Sequence, residues 1–99
     1  MKKYYSIDKY KIFLRKGSYA YTGNTAIEAI CNDNIPYGSL TVNLIPLENK
    51  NLAYLNINLF GVDVEKFFVE NGLGEKIAGR ELRSGYLIYP LYKLNLRKI

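Results

Sequence analysis

Ninety-nine residues, 48% hydrophobic and 23% charged, are enough for one hydrophobic core and too few for two, so residues 1–99 are expected to form a single domain. With no histidine, the chain lacks the commonest general base, the Ser-His-Asp and Cys-His pairs and the commonest zinc ligand, and its one cysteine, Cys31, permits no internal disulfide. The net charge of +5 is uneven: residues 1–17 and 76–99 each carry six cations and one acid, whereas residues 18–75 carry two cations and seven acids.

Residues 10–14, YKIFL, alternate Tyr10, Ile12 and Leu14 against Lys11 and Phe13, the period of a β-strand. Lys16-Gly17-Ser18 is expected to end it. A second extended run is expected from Ser18 to about Cys31, with a turn or bulge at Gly23-Asn24. Within it TAIEAI (25–30) is too short to bury a helical face, so it reads as strand. DNIPYG (33–38) is dense in turn formers and reads as a loop.

SLTVNLI (39–45) puts Leu40, Val42 and Leu44 on one face, with Thr41 and Asn43 on the other. After a polar connection at 46–51, LAYLNINL (52–59) sets Ala53, Leu55, Ile57 and Leu59 against Tyr54, Asn56 and Asn58. Each strand then has an apolar face that needs a cover. The cover is expected from a helix over about 62–72, in VDVEKFFVENGLG (62–74). There Asp63 is placed to cap, Val64, Phe67 and Phe68 recur at helical spacing, Gly72 suits the left-handed position after the helix, and Leu73 follows to touch Phe68. Residues 75–83 read as a loop and 85–96 as the last strand, with Pro90 at an edge or bulge. The expected fold is α+β: a single antiparallel-rich sheet of about five strands with one helix packed on one face.

The longest apolar run is far short of the roughly 20 residues a bilayer span needs, and Asp8, Lys9 and Lys11 interrupt any signal-peptide core, so a cytoplasmic protein is expected. Cys31, with no histidine beside it, reads as a small buried residue and not a nucleophile. Asp63, Glu65 and Glu70 are the clustered carboxylates, and on a helix they read as a first-turn dipole partner and a solvated face; no metal and no cofactor is expected. GLGEK (72–76) follows a helix where a phosphate loop must precede one, so Gly72 reads as a cap. In RKGSYAYTG (15–23) Ser18 separates Gly17 from Tyr19 and throws the later aromatics off the face that an RNA-binding sheet motif would need.

RSGYLIYPLYKLNLRK (83–98) is the densest stretch. As a strand it places Tyr86, Ile88, Tyr92 and Leu94 on one side and Leu87, Tyr89, Leu91, Lys93 and Arg97 on the other. Apolar on both faces, it reads as a core strand whose tyrosine hydroxyls reach the rim. Exposed tyrosines beside Arg83 and Lys93 would instead stack on bases or anchor a protein partner.

YGSLTVNL (37–44), AYLNIN (53–58), VEKFFVENGLG (64–74) and RSGYLIYPLYKL (83–94) follow one another in an order that resembles the family called domain of unknown function 4313. Its members run from an LTVNL strand through an acidic-aromatic helix ending NGLA to a closing SGF-x-x-YP-x-Y strand. Here Gly74 stands for the usual alanine, and Ile57-Asn58 for a more acidic segment. The resemblance spans roughly residues 37–94 and implies a small protein of bacterial plasmids, phages and conjugative elements, with no activity attached.

A non-enzymatic binding protein is therefore expected. The first reading is an inhibitor of a host defence nuclease, such as a CRISPR effector, acting by protein–protein contact in the manner of an anti-CRISPR protein. Tyr86, Tyr89, Tyr92, Arg83 and Lys93 would be its anchors, and Glu65, Glu70 and Glu75 would imitate phosphate toward a basic cleft. The alternative is a nucleic-acid-binding accessory protein using the basic chain ends, with Lys16, Arg97 and Lys98 beside Tyr19 and Tyr21. If the ends lie on neighbouring strands their fields add into one positive patch; if they lie apart, each is a solvated edge. A homodimer through an edge strand fits either reading.

Overall fold

The computed structural model describes residues 3–59 and 61–99, and strand pairing among them is antiparallel throughout. The first sheet is a meander of β1 (Tyr5–Ile7), β2 (Tyr10–Ser18), β3 (Thr25–Cys31) and β4 (Pro36–Ser39). The second takes β5 (Thr41–Val42), β6 (Leu52–Leu55), β7 (Gly74–Lys76) and β10 (Leu91–Leu94) in the order β5-β6-β10-β7. A two-stranded ribbon, β8 (Leu82–Ser84) with β9 (Leu87–Tyr89), stands apart from both. The single sheet expected from the sequence is thus corrected to three, of four, four and two strands, with the one helix α1 (Val64–Glu70) kept.

The sheets are stitched together at a corner. Leu40, fully buried between β4 and β5, donates its N–H to the Ile27 carbonyl (2.9 Å) and accepts from the Asn56 N–H (2.9 Å). The next residue, Thr41, accepts the Ile27 N–H on its Oγ1 (3.1 Å). Both backbone groups of Leu40 and both of Ile27 are thus paired where the chain changes sheets, as a buried corner requires.

Several local expectations are corrected for identifiable reasons. Lys16-Gly17-Ser18 does not end β2, because these residues pair with Ile27, Ala26 and Thr25 of β3. The turn comes later, where Gly23 takes φ +74 and the Tyr19 N–H reaches the Asn24 carbonyl at 2.9 Å. Pro36, read as loop, begins β4: β4 is an edge strand, where a residue with no N–H to donate does no harm. LNINL does not continue β6 beyond Leu55, because the Asn56 side chain folds back to accept the Asn58 N–H (3.2 Å) and starts a turn. The stretch read as one strand over 85–96 is broken twice: Gly85 (φ +64) and Tyr86 form a two-residue hairpin turn between Ser84 and Leu87, and Pro90 separates β9 from β10.

Two cores result. The larger lies between the first sheet, the inner face of the second and the helix, and gathers Ile12, Ile27, Leu55, Phe68, Tyr92 and Leu94 among others. Cys31 is half-buried against it. The smaller lies on the opposite face of the second sheet, where Leu52, Tyr54 and Leu91 are covered by Leu44, Leu47, Ile77, Leu82 and Tyr89. So β6 is buried on both faces, and Tyr54, expected on a polar face, lies in this second core. No helix among the described residues is long and apolar enough to cross a membrane.

The helix is seven residues long and defined at both ends. Asp63 accepts the Lys66 N–H (3.1 Å), and at the other end the Leu73 N–H reaches the Phe68 carbonyl (2.8 Å) while the Gly72 N–H reaches that of Val69 (3.2 Å), with Gly72 at φ +65.

The loops over the second core are tied by a fork. Arg80 donates from both terminal nitrogens to the Glu48 carboxylate, at 2.7 and 3.1 Å. These bonds hold the Glu48 carboxyl at about 2, against an ordinary 4.5. A carboxyl held low in the folded state contributes stability above its ordinary value and loses it as pH falls toward the depressed one. In a carboxyl-detected NMR titration Glu48 should titrate below an ordinary glutamate, and Arg80→Ala should raise it toward 4.5; both groups are exposed, so solvent screening should keep the titration shift and the accompanying change in stability small.

Candidate functional site

Residues 3–5 and 97–99 meet beside β2. β1 pairs with β2 over Tyr5–Ile12, Ser6–Lys11 and Ile7–Tyr10. The C-terminal segment comes up beside the Tyr5–Ile12 end of this pair, where the Tyr5 hydroxyl donates to the Lys98 carbonyl (3.2 Å). Between them is a cleft of about 440 Å³ lined by Lys3, Tyr5, Phe13, Leu14, Arg97, Lys98 and Ile99. Farther along the same strand, a second hollow of about 320 Å³ is lined by Lys16, Gly17, Ser18, Thr25, Lys50 and Leu96.

Five cationic residues and no Asp or Glu line these two hollows. None of the five forms an ion pair with a carboxylate among the described residues, whereas Arg15, Lys76 and Arg80 pair with Glu28, Glu65 and Glu48. Lys98 has a structural duty as well. Its ammonium donates to the Asn71 carbonyl (3.0 Å), supplying a cation at the C-terminus of a helix with no basic residue in its own last turn. This bond also fixes the tail to the helix.

Aromatic rings continue the cleft wall outward. Residues of odd number on β2 face away from the larger core, and there Phe13 meets Tyr4 edge-on, with ring centres 6.1 Å apart at 89°. Tyr4 is 40% exposed, and the Lys11 ammonium lies 4.7 Å from its ring centre. The arrangement is a basic cleft with an aromatic rim.

Of the residues singled out for nucleic acid, Lys16, Arg97 and Lys98 line the two hollows. Tyr19 does not join them: its hydroxyl bonds Thr41 Oγ1 (2.9 Å) and braces the corner. Tyr21 is fully exposed at the tip of the turn after β2.

The residues singled out for a protein partner are dispersed. Tyr86 is 102% exposed at the tip of the ribbon, beside an exposed Arg83. Tyr89 is half-buried over the second core. Tyr92 is 2% exposed, so its ring is out of a partner's reach; it donates its hydroxyl to Glu65 (2.8 Å), and burial, then that bond, raise its pKa well above the ordinary phenol value. Glu65 is further engaged by Lys76 at 3.6 Å. Glu70 is exposed on the helix, and Glu75 stands opposite Lys93 across β7 and β10, the two lining a hollow of about 350 Å³ with Gly72 and Gly74.

A family model described as a domain of unknown function (DUF4313) matches residues 13–99. The chain belongs to that family. The DUF4313 match reaches beyond the 37–94 legible as a resemblance, taking in most of β2, all of β3 and the C-terminal segment; Lys3 and Tyr4 lie outside it. No curated protein and no solved structure matches the chain.

The sequence reading missed Lys3, Tyr4, Phe13 and Lys50 as site residues. The alternation around Phe13 marked an outward face with Lys11 and Arg15, but the return of the tail to that strand is set by packing of Leu94 and Leu96 on the larger core, which has no local signal.

Proposed function

We propose that this protein is a non-enzymatic binding protein whose basic cleft receives an anionic polymer, nucleic acid being the partner of matching chemistry. The observation that supports this is the convergence of Lys3, Arg97 and Lys98 on one cleft, with Lys16 and Lys50 on the next hollow and no acidic side chain in either lining. Cations grouped without acidic side chains keep their field available to phosphate, which supplies most of the affinity in sequence-independent binding.

Fluorescence anisotropy with a labelled oligonucleotide tests the reading. With three phosphates neutralised on a single strand, the logarithm of the binding constant should fall with that of salt concentration with a slope of about −2, or roughly twenty-fold weakening between 50 and 200 mM salt. Lys3→Glu with Arg97→Glu should abolish binding while leaving the fold intact. Failure to bind at low salt would remove the proposal.

A second reading keeps the protein partner. Tyr86, fully exposed on a two-residue turn, is placed as a contact anchor, and on this reading the protein inhibits a host nuclease through the ribbon and the acidic helix side. It predicts that Tyr86→Ala lowers affinity for a nuclease partner without affecting oligonucleotides.

A further inference from the structure

We infer that the polymer taken by the basic cleft is single-stranded, and that Tyr4 is the platform on which one of its bases stacks. This rests on the anionic-polymer reading above and adds the form of the ligand. Phe13 belongs to two groups at once: it lines the cleft with Lys3, Arg97 and Lys98, and it meets Tyr4 edge-on at 6.1 Å. A strand whose phosphates lie along the cleft therefore has an aromatic ring beside its bases. Bases paired inside a duplex have no free face to offer that ring, so the aromatic rim is of use only to unpaired ones.

Lys11 decides how the ring is used. In the free protein its ammonium lies 4.7 Å from the Tyr4 ring centre, a contact that is weak at an exposed site. Base stacking on an aromatic side chain is the stronger interaction. An arriving base displaces the ammonium, and Lys11 turns to a neighbouring phosphate, so the exchange loses no charge contact.

The test compares three probes of matched charge at low salt: a single-stranded oligothymidylate, a hairpin duplex and inorganic polyphosphate. The single strand should bind at least about ten-fold more tightly than the duplex and quench tyrosine fluorescence, which polyphosphate should not. Tyr4→Ala, at a partly exposed position outside β1, should weaken the single strand by about five- to one-hundred-fold and leave polyphosphate unchanged, while Tyr4→Phe keeps the affinity. Equal binding of all three probes with no effect of Tyr4→Ala would overturn this inference and leave the basic cleft a general polyanion surface. Failure of every probe would overturn the cleft itself, and binding only to an acidic protein would move the site to a protein interface.

Discussion

Phe68→Ala should lower the unfolding free energy by about 3–5 kcal/mol, the usual loss when a buried phenyl ring is truncated. Phe68 is 0% exposed and is the largest fully buried side chain among the described residues. Its ring lies edge-on to Phe67 (6.3 Å) and to Tyr92 (6.2 Å), so the substitution removes two aromatic contacts and opens a cavity where the helix meets β10. A helix of about two turns has little stability of its own and depends on this face for its place. Domains of this size have about 5–15 kcal/mol in total, so the variant should be near the threshold of folding, with a melting temperature at least about 12 °C lower. Urea titration checks it: the midpoint should fall with an unchanged slope, and Phe68→Leu should lose much less. A loss below about 1 kcal/mol would mean that the helix does not hold the larger core.

How much of this was legible in the sequence depends on the length of each signal. The helix was readable to its caps, because Asp63, Phe67, Phe68, Gly72 and Leu73 each have a role fixed by helix geometry within a single turn. β2 was readable in its alternation, though not its extension through Lys16-Gly17-Ser18, and β3 because TAIEAI is too short for a helical face. The strands β1, β7, β8 and β9 have three residues each, too few to express a period, and they are held by their neighbours. Tyr54 was misplaced for a different reason: a strand buried on both faces needs a second cover, and that cover includes Leu47, Ile77 and Leu82, from stretches that read as a polar connection (46–51) and a loop (75–83). The candidate cleft follows the same rule. Its cations were visible as two basic ends, but their meeting depends on the tail being carried to β2 by Leu94, Leu96 and the Lys98–Asn71 bond.

Asn24 shows how a turn residue can carry more than a turn, and its replacement gives the second large effect. The sequence reads it as half of a Gly-Asn turn signal, yet it is 4% exposed. Its Nδ2 donates to the Ile45 carbonyl (2.7 Å) and its Oδ1 accepts the Leu47 N–H (2.9 Å), so one amide spans the loop that covers the second core. Asn24→Ala leaves that carbonyl and that N–H without their partner at a part-buried site. At about 1–3 kcal/mol for each buried group left unpaired, partly relieved by movement of the loop, the loss should be about 2–4 kcal/mol. Leu44 and Leu47 pack on the second core from this loop, so the damage should be local as well as global. Hydrogen exchange separates the two: the Leu47 amide should lose protection beyond the general fall, while amides of β2 and β3 follow global stability alone. Unchanged protection at Leu47, or a loss under about 1 kcal/mol, would show that the loop is held by its apolar contacts and not by the Asn24 amide.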